Sequence, residues 1–393
     1  AGQLGNPQPE PTISTQASLQ MENSGTQTVL VLLAIFSNQA DTYPAANFQS
    51  AIFGGSGSIR DFYLKASFNQ LTLAPAEESH GTANDGVVGW LNLGYVHPDT
   101  PTGPANQLIT QNSLIKADEY IKYADYDTDG NHYISVDELH IVVIVAGYEC
   151  AYEDISPCVW AHNATLTSPI TLDGVTLGSG TYGGGYSQFG EIHSDGVSQH
   201  MATIGIMAHE FGHDLSWPDL YDVDSSSAGV GKWSIMGYGS WTRASTLDYP
   251  GSSPALPDAW LKWYQGWITP LSVDTNLTMR SIRQAETYPD ALLLGINPSG
   301  VDWEFEAHSG SGEYFLVENR QQTGYDAGLP GCGLLIWHID ETRTYTNYTN
   351  ANEARPLVKL LQADGLDELR TKIDYGDAGD PYPGSRLKMT LNS

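Results

Sequence analysis

The sequence predicts an α+β fold: a mixed, twisted sheet holding one buried helix of the pattern His-Glu-x-x-His, followed by a β-rich C-terminal subdomain. Two runs, Val29 to Phe36 and His140 to Val145, are unbroken stretches of mostly branched aliphatic residues, as strands buried on both faces are. Leu108 to Tyr123 instead spaces its apolar residues at helical intervals. From Ile268 onward, Ala291 to Leu294, Tyr314 to Glu318, Gly333 to His338 and Leu357 to Leu361 alternate with Gly, Asp and Asn turns. The chain thus divides into an extended arm (1–24), an N-terminal subdomain (25–216) and a C-terminal subdomain (217–393).

Composition narrows the possibilities. With 393 residues, 40% of them hydrophobic, the chain is long enough for a large core. Its 46 acidic against 17 basic residues give a formal charge of −29, which argues against nucleic acid and anionic membranes as partners. The same charge suits hard cations such as calcium, or is simply a solvated surface. No apolar run approaches the roughly 20 residues of a membrane span; the longest, Val29 to Phe36, is of strand length. Of three cysteines, Cys150 and Cys158 are close enough to staple one loop as a disulfide. Cys332, between two glycines, is expected to be a small buried residue. The chain begins at Ala1 with no signal-like segment, so any signal or pro-segment is expected outside these residues.

Taken in order, the Gln/Pro/Ser/Thr-rich arm shows no periodicity. After the first strand, Phe48 to Phe53 and Ile59 to Tyr63 read as short helices about a Gly-Gly-Ser-Gly turn. Leu71 opens a strand, and Gly81 to Pro104 reads as mostly loop. The helix over Leu108 to Tyr123 leads into Asp127-Thr128-Asp129-Gly130-Asn131-His132-Tyr133-Ile134-Ser135-Val136-Asp137-Glu138. Oxygen donors at loop positions 1, 3, 5 and 7 (Asp127, Asp129, Asn131 and the Tyr133 carbonyl) with Glu138 at 12 follow an EF-hand-like calcium loop. His132 stands where glycine is usual, a position that needs a left-handed backbone. A strand rather than a second helix follows, so the loop reads as a structural clamp and not a switch. Gly184 to His200 lies just ahead of the His-Glu helix, and His193 and His200 within it read as surface or supporting histidines. Asp258 to Tyr264 reads as a short amphipathic helix, and Asp377 and Asp380 as turn caps or a further calcium site, turn caps being preferred.

The chemistry concentrates in His209-Glu210-Phe211-Gly212-His213. Four residues apart on a helix, His209 and His213 lie one turn above each other on the same face and can bind one metal ion. Glu210 then projects beside the metal, placed to take a proton from the attacking water. Pro218 stops the helix, and a turn near Ser216 brings Asp219 back as third ligand. A later glutamate is the rival arrangement, but none occurs between Glu210 and Glu286. Asp222 and Asp224 are nearer competitors in a loop that suits a turn or calcium better. Two histidines and one carboxylate leave a zinc position open, as hydrolysis requires. Ser234-Ile235-Met236-Gly237-Tyr238 follows at the distance of a methionine turn, with Met236 as floor of the metal site and Tyr238 as a candidate oxyanion donor.

HEFGHDLSWPDLYD and DSSSAGVGKWSIMGYGSW resemble blocks of the immune inhibitor A family of secreted metallopeptidases (family M6), among the metzincin-like zincins. Asp127 to Asn131, Tyr314 to Arg320, Gly333 to Asp340, Gln362 to Gly365 and Asp377 to Asp380 extend the likeness over nearly the whole chain. The resemblance implies a secreted, monomeric zinc endopeptidase of zincin fold acting on proteins or peptides, with Zn2+ catalytic and Ca2+ structural; by the same analogy Gly184 to His200 is expected to border the substrate cleft. One departure is Ser216, where metzincins carry a glycine suited to positive φ. Two rival readings remain: a silent zincin scaffold serving adhesion, and a metal hydrolase with a non-peptide substrate.

Overall fold

The computed structural model describes residues 23–295, 301–303, 310–343, 350–388 and 390; all of the N-terminal arm but its last two residues lies outside them. The described chain is a mixed α+β structure, sheet-rich with few helices. It forms two compact units: Gly25–Asp61 with Thr72–Asp214, and Phe62–Leu71 with the residues from Leu215 onward.

The first unit begins with β1 (Gly25–Ile35), followed by α1 (Ala45–Phe53) and α2 (Ile59–Ala66), which passes out of the unit. The chain returns in β2 (Leu71–Pro75), then forms β3 (Val87–Asn92) and α3 (Pro104–Ala117). Next come β4 (His140–Glu149), β5 (Cys158–Val159), β6 (His162–Ala164), β7 (Ile170–Leu172), β8 (Val175–Leu177), β9 (Tyr186–Ser194), β10 (Gln199–Met201) and α4 (Ile204–Asp214).

The main sheet runs β10-β9-β4-β1-β2, with β3, β5 and β6 pairing onto β1, β4 and β9. β1, β4 and β9 are mutually parallel, and β4 is buried along nearly its whole length, as the two aliphatic runs predict. Alternation sorts their side chains. Leu30, Leu32, Ile141, Val143 and Val145 pack with Ile109 and Leu114 of α3. On the opposite face, the His140 ring lies 4.5 Å from Phe211, and Ser187 Oγ donates to the Glu210 carbonyl at 3.2 Å. The sheet is therefore covered by α3 on one face and α4 on the other.

Gly81 to Pro104 is mostly loop, as expected, and within it Val87 to Asn92 pairs in parallel with β1, a non-local partner. β9 is paired with β4 along one edge and with β6 and β10 at the two ends of the other, and every residue of it is buried. His193 is accordingly inside, its ring stacked on Tyr152 at 4.4 Å.

The second unit carries α5 (Ala259–Tyr264) and a five-stranded sheet of β11 (Leu271–Val273), β12 (Leu292–Leu294), β13 (Glu313–Arg320), β14 (Gly333–Asp340) and β15 (Val358–Leu360) in sequence order. All neighbours are antiparallel except β11 and β12. Asp258 caps α5 by accepting from the amides of Trp260 and Leu261. The helix is not amphipathic, since Lys262 is buried with the apolar residues and its ammonium stands 3.5 Å from the Glu318 carboxylate.

Cys150 and Cys158 form the expected disulfide. Cys332 is exposed rather than buried. Its flanking glycines explain this: a Cβ on Gly331 would stand 3.0 Å from Ala378 Cα, and one on Gly333 2.3 Å from the Tyr382 carbonyl. The neighbours pack inward, and the cysteine between them faces out.

Candidate metal centre

α4 puts His209, Glu210 and His213 on consecutive turns of one helix. Ile204, Ile206, Met207 and Phe211 bury it against the sheet; His209 and Glu210 are buried as well, and His213 half-buried. The imidazoles of His209 and His213 have centroids 5.0 Å apart and planes at 88°. Rings so placed can turn nitrogens toward one ion, and imidazole donors suit zinc.

The C-terminal end of α4 is fixed by a network that the sequence did not disclose. Asp214 Oδ2 lies 3.1 Å from His140 Nδ1, while Asn163 Nδ2 donates to Asp214 Oδ1 at 2.5 Å and to Ser187 Oγ at 3.1 Å. His140, Asn163 and Asp214 are all buried. Their separations of 74 and 51 residues leave no local signal.

Beyond the helix, Ser216 takes φ 64°, the conformation for which related turns use glycine. A non-Gly residue pays about 1 kcal/mol for it. Asp219 follows three residues later, and its neighbours are held firmly. Leu220 and Tyr221 donate their amides to the Met236 carbonyl at 2.8 and 3.2 Å; the Leu220 carbonyl accepts from Val230 N and from Nδ2 of the buried Asn350. The Ser234–Gly239 stretch winds about the Ser234 carbonyl, which accepts from the amides of Gly237 and Gly239. A Cβ on Gly239 would sit 2.3 Å from that oxygen, so only glycine fits. Met236 is fully buried. The Tyr238 ring lies 4.1 Å from that of Tyr375, and burial, then Tyr375, raises the Tyr238 phenol well above its ordinary range. It stays a protonated donor at neutral pH. Asp222 turns onto its own loop, accepting from Asp224 N, Ser226 Oγ and Ser227 N.

A second group lies in the first unit. Carboxylate oxygens of Asp127, Asp129 and Glu138 all fall within 4.8 Å of one another. Asn131 bridges them to the loop, donating to Asp129 Oδ2 and accepting from Tyr133 N, both at 2.7 Å. His132 has φ 66°, as the missing glycine requires. Ile134 N donates to Thr176 O and Thr176 N to His132 O, tying the loop to β8. Asp380 caps a turn instead, accepting from Trp233 Nε1, Gln362 Nε2 and Asp377 N; burial pushes its carboxyl up to about 6.

A helix with two imidazoles flanking a carboxylate, carried by a mixed α+β sheet, is the framework of a metal-dependent peptidase. The chain belongs to the immune inhibitor A peptidase M6 family, whose catalytic-domain model matches residues 63–268. Over 197 residues it is 28% identical to immune inhibitor A of Bacillus thuringiensis subsp. alesti, covering 48% of this chain and 28% of that protein. Over 259 residues it is 26% identical to the pre-pro-metalloprotease PrtV of Vibrio cholerae serotype O1, covering 57% of this chain and 26% of that one. The chain thus spans about a quarter of the length of these relatives. Among the described residues, no helix is long and apolar enough to cross a membrane.

Proposed function

We propose that this chain is a secreted zinc endopeptidase of the zincin type, acting as a monomer on proteins and peptides. The observation that carries the reading is α4, which presents His209, Glu210 and His213 inside the segment that matches the peptidase family. His209, His213 and Asp219 hold the metal, a two-imidazole, one-carboxylate set suited to a hydrolytic zinc. Zinc, when bound, supplies a Lewis acid for the scissile carbonyl and for water.

The rest is done by the chain's own groups. Glu210, one residue past His209, accepts the proton of the attacking water and delivers it to the leaving amine. Tyr238, a neutral phenol, donates its hydroxyl to the oxyanion. Asp127, Asp129, Asn131, the Tyr133 carbonyl and Glu138 hold a structural calcium; the convergence of three carboxylates and the left-handed His132 support that assignment. Secretion is supported by the Cys150–Cys158 disulfide, a bond that persists in oxidising compartments.

The test is hydrolysis of an unfolded protein by this chain and by Glu210→Ala, with zinc content measured in both. Activity in the first alone, at equal zinc, is the expected result. Comparable turnover by Glu210→Ala would overturn the base assignment. Zinc in both and cleavage by neither would favour a binding module on the same scaffold.

A further inference from the structure

Arg320 lies at the end of β13, 0% exposed. A guanidinium has five N–H donors, and here all five are used. Nε and one Nη2 donor go to the Asp326 carboxylate, both at 2.6 Å, and the second Nη2 donor goes to the Leu256 carbonyl at 3.2 Å. Nη1 donates to Glu318 Oε1 at 3.3 Å and to the Trp233 carbonyl at 3.2 Å. Trp233 immediately precedes Ser234, whose hydroxyl donates to the equally buried Asp258 at 2.7 Å. Two successive residues at the head of the methionine turn are thus gripped, one by its carbonyl and one by its side chain. From there the turn runs to Met236, whose carbonyl accepts from Leu220 N, next to Asp219.

This investment is larger than stability requires. Buried ion groups seldom outperform apolar side chains of equal volume, because desolvation offsets their attraction. What they do provide is direction: each bond fixes an angle as well as a distance. A lysine has three donors and no plane, and could not meet these five acceptors.

We propose that Arg320 is a positioning residue for the metal site: it sets the methionine turn, and through the Met236 carbonyl it sets the backbone that presents Asp219. The inference rests on the zinc reading above.

Arg320→Met alone would strand Asp326, so the variant of choice is Arg320→Met with Asp326→Asn, which removes one charge of each sign. Asparagine keeps an acceptor for Leu256 N, and Glu318 keeps Lys262 and Trp337. On the full chain, three quantities are measured: melting of the metal-free protein, the zinc dissociation constant by chelator competition, and kcat and KM separately. The expected result is a folded metal-free protein whose zinc affinity falls about tenfold or more, the range seen when groups that orient metal ligands are lost, and whose kcat falls while KM holds. Wild-type zinc affinity in the folded double variant would overturn the proposal. Arg320→Lys, which keeps the charge, is measured beside it. If neither variant folds without metal, Arg320 serves the whole unit rather than the turn, and the proposal is again overturned. His209→Ala serves as control: zinc binding as tight as that of the unaltered chain would refute the functional reading itself, a different failure from any of these.

Discussion

The Asp214 carboxylate stands 3.1 Å from the Nδ1 of His140, and the two side chains are 1% and 2% exposed. With Asn163 on its other oxygen, this one carboxylate joins α4 to β4 and β6. Removing it leaves an imidazole and an amide buried without their partner. Asp214→Ala should lower the unfolding free energy by about 3 kcal/mol, and Asp214→Asn by less. Urea denaturation checks both; a loss below about 1 kcal/mol would show that the network does not hold the helix end.

Glu149 gives a prediction about pH. It is wholly buried and accepts from Ala151 N and Ala161 N at 2.9 Å and from Gly190 N at 2.8 Å; burial outweighs those bonds and pushes its carboxyl from 4.5 to about 7. Between about 4.5 and about 7 the folded state holds a proton that the unfolded state has released. Stability must therefore fall as pH rises through that window, by about 3 kcal/mol at most for this group. Glu149→Gln does not titrate. The stability difference between the two proteins should thus move in favour of the variant from pH 5 to pH 8, and an unchanged difference would refute the shift.

Calcium should raise the melting temperature of the intact chain, since a ligand bound only by the folded state stabilises it. Asp127→Ala combined with Asp129→Ala should abolish that rise, leaving the calcium-free melting point close to that of the parent. Equal rises in both would remove this loop as the site.

The Cys150–Cys158 bond closes a short loop, with a sequence separation of 8. Loops of that size restrain the unfolded chain by about 2–3 kcal/mol. Replacing both cysteines with serine should cost about that much in denaturant unfolding, with no change in zinc content. A cost near zero would mean that folding already holds the loop.

What could be read in the sequence was local. The spacing of His209 and His213, the stop at Pro218 and the absence of glycine at Ser216 all concern residues within one or two turns. The left-handed φ of 64° at Ser216 agrees with that reading. The twelve-residue acidic loop is likewise contiguous, and His132 takes the backbone its position demands. What stayed hidden depends on partners far along the chain. β3 is a strand because β1 pairs with it, β9 is interior because β6 and β10 cover it, and Lys262 is buried because Glu318 waits inside. The Asp214 network and the five bonds of Arg320 are of the same kind. The block Tyr314 to Arg320 carries the family likeness in its pattern, yet a pattern by itself gives no reason for an arginine.

The exposed thiol of Cys332 makes the native protein simple to tag. The other two cysteines are held in the disulfide, so a maleimide dye added without reductant should attach once per chain. That dye would sit at the head of β14, beside the glycines packed against Ala378 and Tyr382. Its emission would report on the surroundings of β14, a local optical signal to set beside the tryptophan fluorescence of the whole chain.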